Sequence, residues 1–465
     1  MFKSVRLAAA IVATLSVGFV NGCAPVDEAV DTESTADEVK GRDGKDHWFV
    51  PSAASLSDAQ AKVARHNDAI NNAPNRRADH GPYAMFHQAG KPIRGAVLLF
   101  HGFSSRPHQM SVLAQYLFDN GYDVYLPNLY GQGFADPKAS WAQTKLKPAF
   151  QVAVTKKLDE EGLGALIRND PNRKQSDDGG LIMKLSFVAN NPLNGDVAGA
   201  LKAAGDYDDE TRFQKFMDSN HGMYLTDAKE RLAEIEGLAG PETNAAGGAA
   251  TPGVKKIPIF TLGLSVGGAV ALGLGEARKD RLSGVVAYAP LLRQFSKTTF
   301  PFAVEEFFVN GVGPLGTYNF SGWGPTFPMA AFTASNRFGS EVRERVRDMT
   351  DLPAFIVSTE NEDGADNKAQ SDFYDALGGA RNNYWYTYKA NRKVPHPMVH
   401  PAQVSQGMQN TAWKTLYRET LRFLVNGNVD KAELDKAEPS RESASRPGAI
   451  TAGSPEAYPP VNAAP

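Results

Sequence analysis

The chain has 465 residues, 42% of them hydrophobic and 10% aromatic, enough to bury a large core in one elaborated domain or two. Its formal net charge of -3 is spread over short, mixed clusters and lacks the basic excess that a nucleic-acid partner draws on, so none is expected. A single cysteine, Cys23, excludes an internal disulfide framework.

Taken in chain order, residues 1–23 read "MFKSVRLAAAIVATLSVGFVNGC". Lys3 and Arg6 precede an apolar stretch from Leu7 to Val20 that is too short for a comfortable membrane span, the layout of an export signal. Its end, Val20-Asn21-Gly22-Cys23, resembles the bacterial lipoprotein signal at Val20, Gly22 and Cys23, with Asn21 an unusual occupant. The resemblance implies lipidation of Cys23 and a membrane-anchored lipoprotein of the bacterial cell envelope; plain secretion is the alternative. Residues 24–50 read as an acidic, disordered tether. The folded part is expected over 51–429, and residues 430–465, rich in Ala, Pro, Ser and Glu, as a disordered tail.

Within 51–429, Ser55–Ala73 has helical spacing. "GAVLLFHG" (95–102) is a continuous apolar run ending in glycine, as a buried parallel strand reads. A helix with an Asn-Gly stop follows, then the strand "YDVYLPN" (122–128). Met223–Gly240 reads as a crossover helix, Ile257–Leu264 as a strand and "AVALGLGEARKD" as a helix. Strands follow at 282–290, 352–360 and 382–390. "KAQSDFYDALGG" and Asn410–Gly427 complete the helices. Strands alternating with helices imply a mostly parallel sheet covered on both faces, with ligands at the carboxyl ends of its strands. Two segments break this rhythm. The 123 residues between Gly133 and Ile257 far exceed the roughly 25 that a crossover needs, which marks 135–222 as an insertion. The second insertion is 295–349, whose span Phe295–Phe338 holds eleven Phe, Tyr or Trp residues.

The chemistry-bearing residues fall at strand ends. In "TLGLSVGG", Ser265 lies between a strand and a helix, and Gly263 and Gly267 permit a tight turn there. The reading as a nucleophile competes with that of a hydroxyl capping the next helix. "LLFHGFSSRPHQM" turns after a strand, where the N–H of Phe103 and that of Val266 can form an oxyanion hole; His101 reads as an organiser of that turn. "NRKVPHPMVHPAQ" follows the last strand and offers His396 and His400. His396, between Pro395 and Pro397, is the preferred base. The two prolines break the i, i+4 spacing needed for a helical metal pair, so no metal is expected. "ENEDGAD" offers Glu360, Glu362, Asp363 and Asp366 as the acid that would orient the imidazole.

This order of strand-HGF, strand-YGQG, strand-GLSVGG-helix, strand-acidic loop and strand-VPHP resembles the α/β-hydrolase superfamily, whose chain order is serine, acid, histidine. The resemblance runs over 82–136, 223–294 and 350–428 and is greatest to the monoglyceride lipases, lysophospholipases and S33-type aminopeptidases. It implies an α/β-hydrolase fold with two inserted lid or cap segments, Ser265 as nucleophile, His396 as base, and Phe103 and Val266 as oxyanion donors. The family acid precedes a second Asp in D-x-x-x-D; matching that Asp to Asp366 implies Glu362, with Asp363 the runner-up. Gln132 stands where many relatives carry His, read as a loop change without catalytic consequence. The implied activity is cofactor-free hydrolysis of a small-molecule acyl ester or lipid through an acyl-enzyme. An S33-like peptidase or a thioesterase is an alternative, as is a non-catalytic binding or adhesion module. The aromatic insertion is expected to roof an apolar acyl pocket.

Overall fold

The computed structural model describes residues 47–163, 187–205, 208–245, 247–248, 253–294, 329–349, 351–378, 382–405 and 407–436. The signal, Cys23, most of the tether, most of the tail and the aromatic stretch 295–328 lie outside the described residues. The elements that frame the site are helix α1 (Ala53–Asn71), strands β1 (Tyr83–Met85) and β2 (Gly95–Phe100), helix α2 (Ser111–Asp119), strand β3 (Tyr122–Leu126) and helix α3 (Met223–Ile235). They continue with strand β4 (Ile259–Leu264), helix α4 (Val266–Ala277), strand β5 (Gly284–Tyr288), helix α5 (Met329–Glu344), strand β6 (Ala354–Thr359), helix α6 (Asn367–Ala376), strand β7 (Asn383–Tyr388) and helix α7 (Trp413–Asn426).

Strands β2, β4, β5 and β6 are buried at every position. Such continuous apolar runs form when helices cover both faces of a parallel sheet. The seven strands lie in the order β7-β6-β5-β4-β2-β3-β1. Only β1 runs antiparallel, pairing with β3 at the edge. Helix α4 buries eleven of its twelve residues, as a helix apolar on all sides must. One core cluster joins α1, α3, α4 and α5 to one face of the sheet, and a second joins α2 and α7 to the other. This is the α/β-hydrolase fold. Its register aligns the carboxyl ends: Gly263 pairs with Phe100, Leu264 with Tyr288, Tyr288 with Val357, and Thr359 with Tyr388. The turns that follow all open on one edge.

Edge strand β1 is three half-buried residues, too few to show a period of two, and the sequence reading omits it. Two expected boundaries move. Trp48–Phe49, expected in the tether, pair with Glu242–Thr243. Lys431–Asp435, expected in the tail, form a short helix capped by Asp430. There Leu434 is fully buried, Tyr386 donates to Asp435 at 2.8 Å, and Arg392 donates to the carbonyls of Asp435 and Lys436, so the helix is tied to the body of the fold.

The described residues of 135–222 build their own small cluster around Leu146, Val154, Leu158, Phe213 and Phe216. Charged groups fasten this unit to α5. His221 Nε2 lies 2.6 Å from Glu341. Asp208 takes Arg343 and Ser340. Arg337, 1% exposed, pairs with Glu210 and Glu344 and lies over the Phe213 ring at 5.1 Å. Helix α5 also packs Phe338 into the core against Tyr224, so this part of 295–349 belongs to the body of the fold. Arg337→Leu removes the cation and leaves its carboxylates facing apolar surface. Urea unfolding should show a loss of about 1–3 kcal/mol, below the value for a fully buried pair because Glu210 and Glu344 reach solvent. Limited proteolysis should cut 135–222 faster than in wild type; unchanged stability and cleavage would show that the clamp contributes nothing.

Candidate active site

Ser265 occupies the turn between β4 and α4. Its backbone has φ 57° and ψ -118°, a conformation that is costly for any residue with a Cβ. The flanking glycines make the turn possible. A Cβ on Gly263 would lie 2.0 Å from the Gly267 carbonyl oxygen, and one on Gly267 would lie 2.3 Å from that of Phe100. The backbone of Ser265 is held by bonds from its N–H to Tyr288 O at 2.9 Å and from Leu291 N–H to its carbonyl at 2.9 Å. Its side chain makes no capping bond to α4, which removes the capping reading. Val266 is the first residue of α4, so its N–H has no acceptor within the helix.

The loop after β2 passes close by: a Cβ on Gly102 would lie 3.6 Å from that of Ser265. His101 is fully buried. Its Nδ1 bonds to Gly102 O at 2.8 Å, and its Nε2 accepts from Leu129 N–H at 3.1 Å. Burial pushes its pKa down to about 3, so it is a neutral brace. Gly102 N–H donates to Gln109 Oε1 at 2.7 Å, and Gln109 Nε2 to Gln403 at 3.2 Å. That pair ties the Phe103 loop to the histidine loop.

The acid and histidine loops are stitched together as well. Thr359 Oγ1 donates to Val394 O at 2.6 Å. Glu362 Oε1 accepts the N–H groups of Asp363, Gly364 and Ala365 at 2.9–3.1 Å and lies 2.5 Å from His396 Nδ1. Asp363 is turned aside, accepting from Ser405 Oγ at 2.7 Å. Asp366 caps α6 and takes Arg293. Glu360 binds Lys389 and the Ala390 N–H. Of the four carboxylates in this loop, Glu362 is the one paired with His396. Burial disfavours the His396 cation, but the Glu362 carboxylate, aided by Asp363, outweighs it, and the pKa is raised. His400 instead accepts from Ala402 N–H at 3.1 Å, and burial with Arg106 nearby pulls it down to about 4. Gly364 presses on the imidazole: a Cβ there would lie 3.3 Å from Nε2. Glu362, Asp363 and His396 are also the group among the described residues whose ligand atoms, all within 4.8 Å, can approach one ion. The contacts above already engage one oxygen of each carboxylate.

Beside the elbow, the Phe103 ring makes edge contacts with Trp141 at 5.4 Å and with Phe332 at 5.3 Å. The two rings come from the two segments that break the strand–helix rhythm. Sequence reasoning missed Gln109, Arg77 and Gly364, which meet partners in other loops, and read Gln132 only as a loop change; Gln132 is fully buried and accepts from Ser104 N–H at 2.9 Å.

No protein-family model and no curated protein matches the chain. Solved structures are similar to it in chain path. One comes from work on LipS and LipT, two metagenome-derived lipolytic enzymes, at 14% identity and TM-score 0.41, covering 75% of this chain and 98% of that one. The Paleococcus ferrophilus monoacylglycerol lipase has 13% identity and TM-score 0.37, covering 75% and 99%. A soluble variant of monoglyceride lipase from Saccharomyces cerevisiae, in complex with a substrate analogue, has 13% identity and TM-score 0.37, covering 75% and 92%.

The strain at Ser265 has a measurable consequence. Glycine is ordinarily the less stable choice by about 0.5–1 kcal/mol, but a strained φ costs about 1–3 kcal/mol for any other residue. Ser265→Gly should therefore be more stable than Ser265→Ala by about 1 kcal/mol in chemical unfolding. An alanine variant equal to or better than the glycine variant would show that the turn is unstrained.

Proposed function

We propose that this protein is a serine hydrolase of carboxylic esters with acyl or lipid substrates, working through an acyl-enzyme. The observation that carries the reading is the strained elbow: it holds Ser265, uncapped, on the same sheet edge as the buried His396–Glu362 pair. In this reading His396 Nε2 takes the Ser265 proton as Oγ attacks the ester carbonyl. Glu362, on Nδ1, stabilises the imidazolium that forms. The N–H groups of Phe103 and Val266 receive the oxyanion. His396 then protonates the leaving alcohol, and water, deprotonated by the same histidine, releases the acid. Phe103, Trp141 and Phe332 supply an apolar wall suited to an acyl chain. The lipolytic and monoglyceride-lipase structures named above are consistent with this substrate class. For location, the sequence supports export and anchoring through a lipid on Cys23, which would hold the domain at a membrane face.

Labelling of the purified protein with a fluorophosphonate tests the reading. Wild type should label, while Ser265→Ala and His396→Ala should not; an unlabelled wild type overturns it. Among p-nitrophenyl esters, turnover should change with acyl length, and equal turnover of short and long chains would remove the acyl-chain role of the aromatic wall.

The raised pKa of His396 has a definite sign. The base acts when neutral, so the acid limb of kcat/KM should lie above pH 6.5, the ordinary histidine value. Glu362→Gln removes the charge that raises it and leaves burial, which lowers it. The limb should move to lower pH while kcat falls by roughly 10³–10⁴-fold. A limb that stays in place would mean that another group sets it.

A further inference from the structure

Resting on the ester-hydrolase reading, we propose that Arg77 is a positioning residue of the oxyanion loop. It holds the Phe103–Ser104 segment from behind and places an un-neutralised positive charge beside it.

Arg77 lies just beyond α1, 26 positions before Phe103, and is 4% exposed. Its main-chain N–H is anchored to Gly133 O at 2.7 Å. Its guanidinium donates from Nη2 to Ser104 O and from Nη1 to Gln132 O, both at 3.2 Å. Ser104 N–H in turn donates to Gln132 Oε1 at 2.9 Å. Arg77, Gln132 and Ser104 thus close a buried ring of three hydrogen bonds around the residue that follows Phe103. Ser104 needs such support, because its φ of 56° is unfavourable for a non-glycine residue and persists only when its surroundings over-determine it. The guanidinium also lies 5.3 Å over the Trp141 ring, and Trp141 makes the edge contact with Phe103. Arg77 therefore supports both the main chain and the ring at Phe103.

The electrostatics point the same way. Among the described residues no carboxylate forms an ion pair with Arg77, and its Nε is buried without a hydrogen-bond partner. Burial and the neighbouring Arg106 disfavour its charge, yet an arginine stays protonated. Burying a cation with only carbonyls and a π face for company is costly. The cost has a use where negative charge develops nearby in the transition state: a fixed positive charge in a water-poor site stabilises an oxyanion with no reorganisation. Arg77 need not touch the substrate for this; it acts through the loop.

The experiment uses the purified protein, with active sites counted by fluorophosphonate titration so that only folded, competent molecules enter the rates. Arg77→Met, Arg77→Lys and Gln132→Met are compared with wild type in three measurements: kcat and KM on p-nitrophenyl butyrate, the inhibition constant of an alkyl boronic acid, which mimics the tetrahedral adduct, and melting temperature. The expected result is a fall in kcat of about 10-fold or more for Arg77→Met, short of the 100- to 1000-fold typical of losing an oxyanion donor outright. KM should stay near wild type, and the boronate constant should rise in step with the loss of kcat. Arg77→Lys keeps the charge without the fork and should recover part of the loss; Gln132→Met keeps the charge but cuts the Ser104 bond and should lose less than Arg77→Met. Should Arg77→Met fail to fold, the other two variants decide. The proposal is overturned if these variants melt lower while kcat and boronate affinity per active site are unchanged, or if KM alone rises. A wild type that fails to label would be the failure of the hydrolase reading itself, a separate result.

Discussion

The structure depends on how closely the backbone of the β4–α4 turn approaches the end of β2. Gly267 lies so near the carbonyls of Phe100 and His101 that a methyl group would overlap both. That approach is possible only because β4 and β2 are neighbours in register, Gly263 opposite Phe100. It places the start of α4, with its unsatisfied N–H groups, against the loop that carries Phe103. The strain at Ser265 is the local cost of this arrangement, and the bonds to Tyr288 at the end of the next strand and to Leu291 in the turn after it hold it in place. The positions of the acid and histidine loops follow, since β5, β6 and β7 continue the same parallel register.

Environment, not residue type, separates the histidines along this edge. His101, His396 and His400 all lie in loops after strands. His101 and His400 meet burial and positive neighbours and are driven to about 3 and about 4. His396 is buried too, but it faces Glu362 and moves the other way. Opposite directions from similar burial are what a neighbouring carboxylate produces, and they leave one imidazole of the three suited to carry a proton near neutral pH.

The segments outside the regular strand–helix alternation are attached by different forces. The 135–222 unit has a small apolar cluster and reaches α5 through His221, Asp208 and Glu210, groups that solvent partly screens. Helix α5 is fixed by deep burial of Phe338 and Val342. Trp141 and Phe332 bring these two regions together at Phe103, so the ring contacts around Phe103 are assembled from residues nearly two hundred positions apart.

Much of this is legible in the sequence, for one physical reason. Strands β2, β4, β5 and β6 are buried on both faces, so they read as largely apolar runs without alternation, and the glycine spacing around Ser265 admits few alternatives to a tight turn. By contrast, β1 and the helix at Lys431–Asp435 are too short to carry a period and are ordered by partners elsewhere. Glu362 and Asp363 are adjacent acids that a family pattern ranks but composition does not; the turn of the loop directs one toward His396 and the other toward Ser405. Arg77 and Gln132 are 55 positions apart and look ordinary in the chain. The sequence determined the buried strands, their succession along the chain and the residue types at their ends, because those depend on local pattern; the edge strand and the order of strands within the sheet do not. The tertiary structure alone decided which acid faces the histidine, which histidine is disposed to hold a proton and what braces the Phe103 loop. Those follow from contacts between segments that no local pattern encodes.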